Sequence, residues 1–203
     1  MRKTFLMAII AMATLSMSAQ QVQFGVKGGL NISTESKNEN IAKLSKNPDF
    51  KAGIHVGGVV NYAINQTLEL EADLLYSMQG YNDHIYVMAE QSLDDIGYHV
   101  TSHYLTLPIA AKFNLAKGIY VECGPQVGYL LAKKDNMDGF ESENTFSSSN
   151  TKKFDFGLFA GLGYRFDSGM FVGARYIHGF TGTSKVFDGG KNRNIQVSLG
   201  YLF

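Results

Sequence analysis

Leu68-Glu69-Leu70-Glu71-Ala72-Asp73-Leu74-Leu75-Tyr76-Ser77-Met78-Gln79 alternates apolar and polar side chains, with Leu75 as its one break. Successive side chains of a strand project to opposite faces. Leu68, Leu70, Ala72, Leu74, Tyr76 and Met78 therefore share one surface, and Glu69, Glu71, Asp73, Ser77 and Gln79 share the other. Three acids spaced by two cannot face hydrocarbon, whereas the opposite face requires it.

The same period recurs along the chain and predicts about eight strands. Around residues 22–31, Val22, Phe24, Val26 and Leu30 oppose Gln23, Lys27 and Asn31. Around 51–63, Ala52, Ile54, Val56, Val60 and Tyr62 oppose Lys51, His55 and Asn61. Around 103–115, Leu105, Leu107, Ile109, Ala111 and Phe113 oppose Thr106, Lys112 and Asn114. Around 119–132, Ile119, Val121, Cys123, Val127, Tyr129 and Leu131 oppose Glu122 and Gln126. Around 154–166 an aromatic and aliphatic face opposes Asp155 and Arg165, and around 170–180 a similar face opposes Arg175. The run Asn194-Ile195-Gln196-Val197-Ser198-Leu199-Gly200-Tyr201-Leu202-Phe203 supplies the eighth strand, ending on an aromatic residue as the strands of outer-membrane barrels do. Tyr201 and Phe203 are the expected assembly signal. Pro108 and Pro125 fall inside strands, where a missing N–H removes a ladder bond, so bulges and local changes of parity are expected there.

Connections alternate in length. Short ones fall near 64–66, 116–118 and 167–169, and long polar ones near 32–50, 82–102, 133–153 and 181–193. Short periplasmic turns and long external loops are the asymmetry of an outer-membrane barrel. Residues 1–19 read as a signal peptide: Arg2 and Lys3 precede an apolar run that ends in small residues,. Residues 20–203 are then one barrel domain. Beyond that leader no stretch is long and apolar enough for a spanning helix, so a membrane reading needs a closed barrel, which satisfies every backbone group in lipid. Cys123 is the single cysteine, which excludes an intramolecular disulfide,. Eighteen basic against eighteen acidic residues give no overall charge with which to attract nucleic acid,.

The inward faces collect Lys27, Lys51, Lys112, Arg165 and Arg175 against Glu69, Glu71, Asp73, Glu122 and Asp155, and five against five points to mutual pairing. About eight strands enclose an interior just wide enough for side chains to fill, while aqueous channels appear at about sixteen. A packed ionic filling is expected rather than a diffusion pore, because buried charges require partners.

The glycines Gly28-Gly29, Gly57-Gly58 and Gly157, Gly161 and Gly163 lie in strands without a following helix, so they read as room for curvature and large interior neighbours, not as a phosphate loop. Tyr62, Tyr76, Tyr104, Tyr129, Tyr164, Tyr176 and Tyr201 on or beside the apolar face suit interfacial girdles. Histidines read as loop or rim residues. His99 and His103 lack a carboxylate or cysteine at ligand spacing. His178, Ser184 and Asp188 hold the ingredients of a hydrolase site in no recognisable spacing. The loops around Lys37–Asn40, Asp94 and Asp95, and 141–150 are solvated segments suited to surface recognition,.

Phe24–Asn31 (FGVKGGLN), Leu68–Tyr81 (LELEADLLYSMQGY), Tyr104–Phe113 (YLTLPIAAKF), Glu122–Leu131 (ECGPQVGYLL), Gly161–Phe166 (GLGYRF), Ala174–Phe180 (ARYIHGF) and the closing VSLGYLF together resemble the PorT-like outer-membrane β-barrel family. The resemblance implies a small barrel in the bacterial outer membrane, no cofactor and no catalytic residues. Its founding member is linked to a secretion system for surface-exported proteins.

The expectation is thus an all-β, single antiparallel up-and-down transmembrane β-barrel of about eight strands, non-enzymatic, with a structural or surface-interaction role through its external loops. Accessory work in protein secretion and lipid modification through His178 are the alternatives. Expected partners are outer-membrane lipids, the barrel-assembly machinery during insertion and a protein at the external loops. A soluble lipocalin-like barrel is the competing fold, in which the acids of residues 69–73 would face outward water.

Overall fold

The computed structural model describes residues 21–36, 49–89, 92–137, 152–182 and 191–203. The expected leader lies outside them, as do Lys37–Asn40, residues 141–150, Ser184 and Asp188. The regular elements among the described residues are eight strands: β1 (Val22–Ser36), β2 (Asp49–Ala63), β3 (Leu68–Ala89), β4 (Ser92–Ala116), β5 (Ile119–Met137), β6 (Phe154–Arg165), β7 (Met170–Gly182) and β8 (Lys191–Leu202). Each pairs antiparallel with its chain neighbour, and β8 returns to β1 in the register Gly29↔Ser198, closing the barrel. Closure leaves the wall without a free edge, so every ladder group within it can bond inside the protein.

The alternation read in the sequence sets the two faces. Leu74 and Val197 are 54% and 53% exposed on the outer wall, while Glu71 and Asp73 are each 1% exposed inside. That polarity excludes the lipocalin-like alternative, whose apolar side chains would fill the centre. Six of the seven tyrosines assigned to the apolar face stand on the outer wall, with Tyr129 and Tyr164 edge-on to Phe154 and Phe166. Tyr104 is the exception: it shares inward parity with Ser102 and Thr106 and is buried inside.

The short turns match their expected positions. Asn65 Oδ1 accepts the Thr67 and Leu68 amides at 2.9 and 2.8 Å, an Asx turn that starts β3,. Gly118 and Gly169 sit at φ +79° and +89°, left-handed values that side-chain-bearing residues avoid,.

Two expectations are corrected. The prolines carry neither bulge nor parity change: β3–β4 pairing keeps one register from Ala72↔Ile109 to Leu75↔Thr106, and β4–β5 pairing keeps one from Pro108↔Gln126 to Ala111↔Cys123. The shifts lie elsewhere: between Tyr104↔Leu130 and His103↔Ala132, beside Leu115, between Phe50 and His55 of β2, and between His178 and Gly182 of β7. The extra residue at Leu131–Ala132 turns Lys133 toward the parity of Ser102 and Lys134 toward that of Thr101. Finally, the expected loop at 82–102 is strand for most of its length, since β3 and β4 stay paired from Asn82↔His99 to Ala89↔Ser92.

Two outcomes follow. Leu74→Arg places a charge on the lipid face and should cost about 2–4 kcal/mol near mid-bilayer, read as a lowered urea midpoint of the barrel folded in lipid vesicles. Cys123 is exposed on the outer wall, so a membrane-soluble maleimide should label it and a charged, membrane-impermeant one should not.

Candidate functional site

The inward charges form a layered filling along the barrel axis. At the short-turn end, the Arg165 guanidinium donates to both oxygens of Glu69 at 3.1 and 2.6 Å, and Asn61 and Asn114 complete that carboxylate at 2.8 Å each. This pair floors a cavity of about 520 Å³ lined also by Gln23, Gln66 and Asp167, the mouth of the barrel on that side.

The next layer holds three cations and three anions from five strands. Lys27 of β1 lies 2.8 Å from Glu71 and 2.7 Å from Asp73. Arg175 of β7 reaches Asp73 at 2.7 Å and Glu71 at 2.9 Å, and holds Glu122 of β5 through both Nε and NH2. Lys112 of β4 binds Glu71 and lies 3.9 Å from Glu122. Removing such groups from water costs several kcal/mol per ion, which only close pairing and further hydrogen bonds recover. The layer has both, and its formal charge sums to zero.

Aromatic rings complete the desolvation. Lys112 Nζ stands 4.5 Å from the Tyr120 ring centre and 5.3 Å from that of Phe171, while the Arg175 guanidinium lies 4.9 Å from that of Phe159. Cations over ring faces gain most when water is excluded. Glycines make the room: a Cβ at Gly163 or Gly200 would strike the Tyr120 or Phe171 ring respectively. The inward glycines thus serve the interior side chains, as their strand context indicated.

Toward the long-loop end the filling becomes neutral. The Asn31 amide donates to Ser77 Oγ, Ile54 O and Met78 O at 2.8–3.1 Å, leaving its oxygen to accept from His55 Nδ1 at 2.9 Å. His55 Nε2, 2.9 Å from Ser198 Oγ, is then the acceptor in a neutral ring,. His55 is buried in the barrel, on the inward face that the alternation of residues 51–63 assigns to it, and not at a loop or rim.

Of the ten inward charges assigned from sequence, Lys27, Glu69, Glu71, Asp73, Lys112, Glu122, Arg165 and Arg175 pair with one another. Lys51 and Asp155 do not join them, so the five-against-five pairing is corrected. Lys51 donates to Val100 O at 2.9 Å and Thr101 Oγ1 at 2.6 Å, and Asp155 accepts from Asn192 at 2.8 Å. Both sit past the central layer, beyond reach of its charges. Tyr120, Phe159 and Phe171 were missed; inward parity marks all three, and facing inward glycines mark Tyr120 and Phe171.

Tyr201 and Phe203 stack at 6.4 Å on the outer wall, and Phe203 N–H donates to Phe24 O at 2.8 Å. His103 accepts or donates at 2.6 Å to Tyr76 Oη on the outside, and His99 pairs with Asn82 at 2.9 Å. His178 lies between the rings of Tyr176 and Phe180. No group of three or more His, Cys, Asp or Glu able to hold a metal occurs among the described residues.

Arg175→Met would strand one buried negative charge and should cost about 3–5 kcal/mol of folding free energy. Adding Glu122→Gln restores neutrality and should recover part of the loss. Denaturant unfolding in vesicles measures both.

The barrel resembles solved structures of small outer-membrane proteins. Neisserial surface protein A superposes with a TM-score of 0.50 at 13% identity, over 89% of this chain and 97% of that one. Ail, the attachment invasion locus protein of Yersinia pestis, gives 0.48 at 18% identity, over 91% of this chain and all of its own. At such identities the first likeness speaks to fold alone. No curated protein sequence matches this chain. Residues 18–185 match the family described as outer membrane protein beta-barrel domain, and the chain, a closed eight-stranded barrel of the bacterial outer membrane, belongs to that family.

Proposed function

We propose that this protein is a non-enzymatic, non-conducting barrel whose work is surface interaction at its long-loop end. The carrying observation is a ribbon that outgrows the wall. Among the described residues, pairing of β2 with β3 reaches Asp49↔Asn82, while β3 and β4 continue together to Ala89↔Ser92, and β4 keeps β5 as far as Tyr98↔Met137. At about 3.3 Å per residue and the tilt of barrel strands, seven further residues of β3 rise roughly 15–20 Å above the wall. Beyond Asn82 the backbone edge of β3 that would face β2 has no ladder partner among the described residues. Such an edge can take up an extended segment of another protein through main-chain hydrogen bonds.

The interior supports the same reading. Its central layer is neutral, desolvated and tied to five strands, so a permeating solute would have to break several buried ion pairs at once. The motif order from Phe24 to Phe203 supports a PorT-like subgroup within the family. Outer-membrane lipids and the assembly machinery are its expected partners in reaching this state.

Because Asn82 and His99 lie directly opposite, residues 83–98 can be replaced by a two-residue Asn-Gly turn,. That variant should retain heat-modifiable migration on a detergent gel and lose the proteins that co-purify with the full chain from outer membranes. An unchanged set of co-purifying proteins would overturn the contact surface. Separately, the purified barrel should give no steady conductance steps in planar bilayers, and reproducible open-channel currents would overturn the sealed interior.

A further inference from the structure

The cavity at the short-turn end is blind. Its floor is the Arg165–Glu69 pair, and beyond that pair the buried central layer around Glu71 closes the barrel, so a molecule entering from this end cannot pass through. The volume of about 520 Å³ falls within the roughly 300–1,000 Å³ of pockets that take small ligands,. Short turns of outer-membrane barrels face the periplasm, and the cavity opens on that side.

The floor has spare capacity for one sign of charge only. Glu69 accepts four N–H groups, two on each oxygen: Arg165 and Asn114 on Oε1, Arg165 and Asn61 on Oε2. That fills the roughly four acceptor positions of a carboxylate. Arg165 is not filled. It spends one N–H of each terminal nitrogen on Glu69, so a second N–H on each, and the buried Nε–H, have no partner among the described residues. Arg175 supplies the contrast within the same barrel, since its three nitrogens grip the carboxylates of Asp73, Glu71 and Glu122. Arg165 holds one carboxylate, and its side chain, 21% exposed, lines the cavity.

We propose that this mouth binds the C-terminal end of a polypeptide, with the α-carboxylate on Arg165. A second carboxylate gives Arg165 the multiple bridging that Arg175 already has, through charge-assisted N–H bonds. Because the cavity is blind, a chain enters by an end or by a side chain. An N-terminal ammonium would meet the guanidinium and find Glu69 saturated, so the end that fits is the carboxyl end.

The walls suit a backbone. Gln23 and Gln66 bring side-chain amides to the cavity, and Asn114, whose Nδ2 donates to Gln66 O at 3.3 Å and to Glu69 at 2.8 Å, keeps its Oδ1 to accept. Paired donors and acceptors of this kind match the N–H and C=O groups of an extended chain. Leu115 and Phe166 add exposed apolar surface at the rim. The Lys117–Asp167 pair there, 3.4 Å apart and solvated on both sides, contributes little and opens at small cost,. A lone carboxylate anion would use Arg165 and leave these walls without a partner, which is why a chain end is the better occupant.

The test uses the folded full chain in neutral detergent and equilibrium dialysis against two probes, N-acetyl-trialanine with a free carboxylate and the same peptide as its C-terminal amide. The wild type should retain the free acid at least fivefold better. The Arg165→Gln, Glu69→Gln double variant, which keeps the floor neutral and is checked for folding by heat-modifiable migration, should lose that preference. Arg193→Gln, on the outward face at the opposite end, should keep all of it. A benzophenone at the N-terminal end of the peptide should cross-link to the turns at 116–118 or 166–169. Equal retention of acid and amide by the wild type would overturn the proposal without reference to any variant. So would a preference that survives the double substitution, or cross-linking confined to the long-loop end. Acetate that displaces the peptide at matching concentration would overturn the chain end as the ligand, since the carboxylate alone would then suffice.

Discussion

Glu71 is the point on which the barrel closes. Its carboxylate takes Lys27 from β1, Lys112 from β4 and Arg175 from β7, so strands far apart around the wall meet at one residue of β3. Each of these groups is buried, and a buried charge without a partner costs several kcal/mol. A slip of one residue in any of these strands would flip its charge into lipid and leave the others unpaired. Hydrocarbon outside and ion pairs inside thus select the same register, and closure of β8 on β1 brings both conditions into force together.

The faces were legible because the bilayer leaves little freedom. Wherever a strand crosses lipid, alternation sorts its side chains, and all ten charges assigned to the interior are on inward-facing positions. Partnership was less legible than placement. Lys51 and Asp155 have the same inward parity as the central six but lie higher on the axis, and height depends on strand stagger, which no single strand encodes. The prolines misled for a related reason: Pro108 and Pro125 each lose a donor without losing register, because the neighbouring ladder bonds hold the strand in line.

The least legible region was the ribbon of β3 and β4 above the wall. Asp83, His84, Asp94 and Asp95 give its sequence no sustained two-residue period, so it reads as loop. The rings inside were obscured differently. Tyr120, Phe159 and Phe171 are as apolar as the wall residues beside them, and the inward glycines at 163 and 200 betray only the space of Tyr120 and Phe171.

The pairing of β8 with β1 also orders events in time. Lys27 and His55 leave the ribosome early, yet Arg175, which shares the acids Glu71 and Asp73 with Lys27, and Ser198, which bonds His55, come from the last two strands. No subset of strands can settle its ionic core ahead of the rest, and such long sequence separations make for slow, all-or-none assembly. Until the last strand arrives, the greasy and charged faces stay unsheltered, a state whose exposed apolar surface and strand edges favour aggregation over piecemeal folding.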